Sequence, residues 1–295
     1  MYIGIVTAMM RWEPSLLDQL VWARDNGFDC IELSCWHSAP AGFDGLWAHR
    51  WDVTDAYLRR LDSVLQDFER INLHASFFHA YDPTYCTFHP MWRQSALDEV
   101  RYALLLARRF GGRVVTCHPN GLIHGKTEDE RRASFLDAVA QLDDMAREQN
   151  VWVGLEAIQY LLPLEYCRML MDAHTTHIGL TLDIGHAHLN ETAPPLCMHS
   201  FDGPAYRVFG SVANFIREMS PLIRHVHIHD SDGTVSHLPL GTGRADLVGC
   251  VSALQEARYA GVISLEAEGS AQRQLTYREM VQQWIADAPA VTRNT

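Results

Sequence analysis

The sequence predicts an α/β fold, a single (β/α)8 TIM barrel whose functional residues gather at the C-terminal ends of its strands. Three observations lead there. Eight short β-branched or apolar runs alternate with longer amphipathic stretches along the 295 residues. The first run passes into Thr7-Ala8-Met9-Met10-Arg11-Trp12, which cannot cradle a pyrophosphate as the glycine-rich turn of a doubly wound sheet does. No internal repeat, low-complexity tract or Pro/Ser-rich linker divides the chain, so one domain is expected over 1–295.

Taken in order, strands are expected over 2–6, 30–34, 71–76, 113–118, 151–157, 178–184, 223–229 and 262–267. Helical spacing lies between them. Leu17, Leu20 and Val21 carry it after the first strand, and Leu97, Val100, Leu104 and Ala107 carry it within 93–110. Phe135, Ala138, Val139, Leu142, Met145 and Ala146 repeat it before the fifth strand, and Val281, Trp284, Ile285 and Ala288 in the last stretch. Gly27, Gly111-Gly112 and Gly261 mark helix stops, each shortly before a strand.

Composition narrows the class. With 47% hydrophobic and 20% charged residues, the chain is not disordered, collagen-like or coiled-coil. A formal charge of −12 repels phosphate backbones unless positive charge is concentrated in one groove, so nucleic acid is disfavoured as a partner. No apolar run approaches the ~18–20 residues that span a bilayer. Met1 leads straight into Tyr2-Ile3-Gly4-Ile5-Val6 without the charged start and long apolar run of a signal peptide. Seven cysteines, Cys30, Cys35, Cys86, Cys117, Cys167, Cys197 and Cys250, show no CxxC spacing and read as reduced thiols. A cytoplasmic protein is expected.

The 16 histidines are the main clue to chemistry. Polar, metal-competent residues end almost every strand. They are Asn72-Leu73-His74, Thr116-Cys117-His118, Leu155-Glu156-Ala157, Leu182-Asp183-Ile184-Gly185-His186, His225-Val226-His227-Ile228-His229-Asp230 and Leu265-Glu266-Ala267-Glu268. A single strand-end histidine is ordinarily a hydrogen-bonded core residue. A carboxylate flanked by Leu182 and Ile184, or by Leu155 and Ala157, is rarely buried without a partner. Asp183, Glu156 and Glu266 would repel one another in a barrel mouth unless a cation neutralised them. A divalent metal site is the economical explanation. By strand alternation His225, His227 and His229 share one face, with His227 central, His225 deeper and His229 near the mouth.

These residues resemble the xylose isomerase-like barrel superfamily, which holds sugar phosphate isomerases and epimerases and the endonuclease-IV-type AP endonucleases. The pieces are Gly154-Leu155-Glu156-Ala157, Leu182-Asp183-Ile184-Gly185-His186 and His225 through Gly233. His237-Leu238-Pro239-Leu240-Gly241-Thr242-Gly243 and Ile263-Ser264-Leu265-Glu266 complete the set, in order along nearly the whole chain. The resemblance implies a metal quartet of Glu156, Asp183, His227 and Glu266, with Glu156 and Glu266 also moving a proton between the faces of an enediolate. It further implies that His74, His118, His186 and His237 are candidates for additional metals or substrate. Two positions depart from subgroup patterns: Val235 stands where the nucleases carry a metal-binding aspartate, and Gly233 where ketose 3-epimerases carry an arginine.

The expected activity is a divalent-metal-dependent sugar isomerase or epimerase. Glu156 and Glu266 are its acid/base pair, and His186 contacts a substrate oxygen or a second metal. Histidine in the ligand set favours Mn2+, Zn2+ or Co2+ over Mg2+, and no organic cofactor is expected. Aromatic loops suit a small sugar: 34–51 with Trp36, Phe43, Trp47 and Trp51, and 77–92 with Phe78, Tyr81, Tyr85 and Trp92. Trp36 and Phe78 are the expected substrate contacts; the alternatives for these aromatics are loop core or a dimer contact, the latter implying a homo-oligomer. Segment 187–206, with Pro194-Pro195, is a further lid candidate. Gly241-Thr242-Gly243-Arg244 reads as a plain turn before a helix near Asp246, with a phosphate cradle as its alternative. The rival activities are an AP endonuclease-like phosphodiesterase and a sugar lyase or dehydratase, which begins with the same proton abstraction. A catalytically silent, sugar-binding barrel is a third reading.

Overall fold

The computed structural model describes residues 1–13, 15–34, 55–75, 90–118, 127–156, 164–192 and 209–288. Each apolar run forms a strand: β1 (Tyr2–Val6), β2 (Cys30–Ser34), β3 (Arg70–Ala75), β4 (Val114–Cys117), β5 (Trp152–Glu156), β6 (Ile178–Asp183), β7 (Ile223–Ile228) and β8 (Val262–Leu265). Their limits differ from the expected ones by no more than two residues. The strands pair in parallel and in chain order. Tyr2↔Val262 through Ile5↔Leu265 then join β1 to β8 and close the barrel.

The helices are α1 (Leu16–Asp25), α2 (Asp55–Leu65), α3 (Pro90–Phe110), α4 (Glu128–Gln149), α5 (Leu164–Asp172), α6 (Ile184–Thr192), α7 (Val212–Met219), α8 (Leu247–Glu256) and α9 (Ala271–Asp287). Local chemistry sets their ends. A reciprocal pair starts α4: Thr127 accepts the Glu130 amide, and the Glu130 carboxylate accepts the Thr127 amide at 2.8 Å. Gly27 and Gly111 end α1 and α3 in the left-handed region (φ 73° and 72°), where a side chain would be strained.

One departure from the plain strand–helix repeat lies between β6 and β7, where the described residues hold two helices instead of one. The Asp183 carboxylate accepts the His186 amide at 2.8 Å, so α6 starts directly at the strand end. Of these two, α7 packs against α8, and it begins with Ser211 accepting the Asn214 amide.

Strand alternation separates two kinds of buried residue. Ile31, Leu33, Leu73, Val115, Leu155, Leu182, Val226 and Ile228 join the core with Leu20, Leu104, Phe135, Leu142 and Ile216 of the helices. The intervening positions are buried but polar: Glu32, Asn72, His74, Thr116, Glu156, Thr181, Asp183, His225 and His227. Thr116 and Thr181 meet at 3.0 Å although their strands are not neighbours, which places this set inside the barrel. No helix among the described residues is long and apolar enough to cross a membrane.

Candidate metal centre and active site

The structure brings Glu156, Asp183, His227 and Glu266 together, with one ligand atom from each within 4.8 Å of the others and all four residues buried. Each stands within one residue of the end of its strand, β5, β6, β7 and β8. His227 is the hub. Its Nδ1 lies 2.8 Å from Glu156 Oε1, 3.0 Å from Glu266 Oε2 and 3.9 Å from Asp183 Oδ2. A register shift between Leu180 and Thr181 makes this possible. It pairs Thr181 with His225 and Asp183 with His227, skipping Arg224.

Beneath the quartet lies a residue that sequence reasoning passed over. Glu32 of β2 is 0% exposed, with Oε2 2.6 Å from His225 Nε2 and Oε1 2.9 Å from His227 Nε2. Its signal was there: Ile31 and Leu33 flank it as Leu182 and Ile184 flank Asp183. His225 lies deep in the strand, as expected, and its partner there is Glu32. His229 sits above, with Nε2 2.9 Å from Asp183 Oδ1, so it steadies that carboxylate from the side. Gly185 makes room for this ring, since a Cβ there would meet His229 at 2.0 Å.

Two further clusters flank the quartet. His74 Nε2 and His118 Nε2 lie 3.1 and 2.7 Å from Glu156 Oε2 and 3.0 Å from each other. Even so, Glu156 Oε2 accepts no hydrogen bond of good direction, so the three groups converge on a common point more than they bond pairwise. On the other side His186, His229 and His237 form a second group, with His237 stacked on His229 at 4.2 Å between ring centres. His237 has φ 56°; its amide donates to His229 Nδ1 at 2.9 Å, and its own Nδ1 lies 3.0 Å from the Glu266 carbonyl oxygen. That ring edge is thereby committed, and Nε2 is the nitrogen left for a ligand. Val235, two residues earlier, is 51% exposed and supplies no oxygen to this group.

The Gly241-Thr242-Gly243-Arg244 turn is held by a side chain of the protein itself. The Asp230 carboxylate accepts the amides of Ser231, Gly241, Gly243 and Ala245 at 2.8 to 3.2 Å. Those amides are the donors a phosphate would need there, and Asp230 already satisfies them. Asp246 caps α8 by accepting the Gly249 amide, in keeping with the plain-turn reading. Trp36 and Phe78, the expected substrate contacts, lie outside the described residues, as do Phe43, Trp47, Trp51, Tyr81, Tyr85 and Pro194-Pro195.

The comparisons with known proteins agree with the fold. A family model described as "Xylose isomerase-like TIM barrel" matches residues 20–288. The chain belongs to this family. Among the relatives of this xylose isomerase-like barrel, an L-ribulose-5-phosphate 3-epimerase, UlaE, of Salmonella paratyphi C is 23% identical over 98% of this chain and 96% of its own. The uncharacterized protein MJ1311 of Methanocaldococcus jannaschii is 25% identical over 59% of this chain, which spans 57% of that protein. Among solved structures, a D-tagatose 3-epimerase-like protein superposes with a TM-score of 0.73 at 19% identity, covering 97% of each chain. An L-ribulose 3-epimerase superposes with a TM-score of 0.70 at 20% identity, covering 97% of this chain and 95% of its own.

Electrostatics in this xylose isomerase-like barrel follow from packing carboxylates and imidazoles in a buried site. Burial disfavours a charged Glu156, yet His227, His74 and His118 outweigh it and hold its carboxyl well below the usual range. Asp183 is likewise held down, His186 and His229 overcoming the cost of burial. His227 is the reverse case. Burial opposes its charge, but Glu32, Glu266 and Glu156 together raise its affinity for a proton well above that of an ordinary histidine. His186 is pushed down to about 4, because burial outweighs the attraction of Asp183. It is therefore neutral at pH 7, the state in which an imidazole can accept a hydrogen bond or a metal.

Proposed function

We propose that this protein is a divalent-metal-dependent isomerase or epimerase acting on a sugar or sugar derivative by proton transfer through an enediolate. One observation carries the reading: carboxylate oxygens from β5 and β8, Glu156 Oε1 and Glu266 Oε2, stand 2.8 and 3.0 Å from the same nitrogen, His227 Nδ1. The donor set fits a cation. Glu156 Oε2 and Glu266 Oε2 are buried without a hydrogen-bond partner, and buried carboxylates so placed call for positive charge. Three carboxylates with one imidazole suit Mn2+, Zn2+ or Co2+. Held by Glu156, Asp183, His227 and Glu266, such an ion would polarise a carbonyl and its neighbouring hydroxyl and neutralise the developing negative charge.

The chain's own residues then divide the work. One of Glu156 and Glu266 takes the proton from the C–H beside the carbonyl, and the other returns one from its own side of the site. His186, neutral at pH 7, accepts or donates a hydrogen bond at a substrate oxygen. Asp183, its charge sustained by the His186 amide and by His229, stays a ligand and takes no part in proton transfer. No organic cofactor is needed for this chemistry. The names of the relatives, a ribulose-phosphate and a tagatose-type 3-epimerase, support a small-molecule sugar. The described cysteines, Cys30, Cys117, Cys167 and Cys250, are buried, and a cytoplasmic location is part of this reading.

The test is a panel of ketoses, aldoses and keto-sugars in deuterated water, with and without added Mn2+. Turnover of one of them, with deuterium entering a single carbon and abolished by chelation, is the expected result. The His74–His118–Glu156 cluster keeps a second reading in view, a metal-dependent phosphodiesterase acting on abasic DNA. Incision of an abasic duplex at physiological salt without sugar turnover would reverse the order. Loss of the C–H proton followed by expulsion of a leaving group, with an unsaturated product, would instead mark a lyase or dehydratase.

A further inference from the structure

We propose that Glu32 is a positioning residue that fixes which nitrogen of His227 faces the quartet, and that a hydrogen-bond chain starting at the Val114 amide directs it. The proposal rests on the metal reading of the quartet and adds to it a barrel-floor device outside the ligand set.

The direction of each link follows from the one before. A backbone N–H can only donate, and that of Val114 lies 3.2 Å from Asn72 Oδ1. Asn72 therefore presents its NH2 group on the other side, 2.9 Å from His225 Nδ1. Nδ1 of His225 accepts that bond, so its proton is on Nε2, which donates to Glu32 Oε2 at 2.6 Å. The second Glu32 oxygen faces His227 Nε2 at 2.9 Å and accepts from it. With its proton committed at Nε2, His227 turns Nδ1 toward Glu156 and Glu266, as a ligand nitrogen must be.

Burial makes the chain obligatory. Glu32, His225 and His227 are each 0% exposed and Asn72 is 3% exposed, so bulk water cannot replace a link. The chain runs from β4 to β3, across to β7 and β2, and back to β7. The two-residue spacing of His225 and His227 on one face of β7 matches the two oxygens of a single carboxylate. The nearest competitor for Glu32, His74 Nδ1, stands off at 3.6 Å. At 2.6 and 2.9 Å both Glu32 oxygens bond an imidazole, so Glu32, His225 and His227 form a bonded support under the quartet.

The test compares wild type, Glu32→Gln and Glu32→Asp by chelator-competition titration of Mn2+, with imidazole 15N NMR of the Zn2+-loaded wild type. Glutamine offers one acceptor and one NH2 group, so one of the two imidazoles meets a donor instead of an acceptor. The Mn2+ dissociation constant of Glu32→Gln should rise by roughly 10–100-fold, with Glu32→Asp recovering part of the loss. In the NMR spectrum His225 and His227 should both carry their proton on Nε2. A folded Glu32→Gln protein with wild-type Mn2+ affinity would overturn the role. Should that variant not fold, the spectrum decides, and a His225 proton on Nδ1 overturns the chain. A wild type that binds no Mn2+ overturns the metal reading and this role with it.

Discussion

His227 Nδ1 lies 2.8 Å from Glu156 Oε1, close enough that a proton between them and a divalent cation compete for the same nitrogen. Because Glu32, Glu266 and Glu156 overcome burial and raise the proton affinity of His227, that proton is present at pH 7 until a metal displaces it. Loading Mn2+ or Zn2+ in weakly buffered solution should therefore release about one proton per site. Apparent affinity should strengthen as pH rises. Metal uptake with no proton release would show that His227 is not a ligand.

The same groups shape stability against pH. The folded-state value of His227 is raised above 6.5, so its contribution is complete below that pH and is lost as pH rises through the raised value. Glu156 and Asp183 are lowered, so theirs is present above the ordinary carboxylate range and lost as pH falls through their folded values. His186, pushed down to about 4, adds a loss that begins as pH falls below 6.5. Calorimetric Tm of the metal-stripped protein should fall on both sides of neutrality. Bound metal should flatten the alkaline limb, because it replaces the proton of His227 as the counter-charge. An alkaline limb unchanged by metal would contradict the assignment.

Glu156→Gln and Asp183→Asn should each lower bound metal substantially, measured by elemental analysis after dialysis against a fixed free-metal buffer. Each removes one negative charge from a site that balances charge, while nearly preserving volume. Asp183→Asn should cost more in structure as well, since His229 and the His186 amide both use that carboxylate. Full retention of metal in both variants would refute the quartet.

Glu266→Gln separates an acid/base residue from a simple ligand. Glutamine keeps an oxygen donor, so some metal should remain, but it cannot accept a proton at neutral pH. The kcat should fall by about 10²–10⁴-fold, with deuterium exchange at the substrate carbon falling alongside or persisting on one face through Glu156 alone. Recovery to near the wild-type rate at saturating metal would assign Glu266 a purely structural part.

Much of this protein was legible residue by residue. The eight strands and the principal helices follow from alternation and 3.6-residue spacing, which are local properties of the chain. Glu156, Asp183 and Glu266 stood out because ionised groups inside apolar runs demand partners, again a local signal. Glu32 carried the same signal between Ile31 and Leu33, but its partners lie 193 and 195 residues away, at His225 and His227. Their meeting depends on the height at which each strand enters the closed barrel. That height is set by register: the shift at Leu180–Thr181 brings His227 level with Asp183, and no local pattern in either strand encodes it. Asp230 is similar, its carboxylate gathering amides from as far as Ala245 only once the turn has folded around it. Side-chain alternation says which face a residue takes; only closure of eight strands into one ring decides which residues share a level.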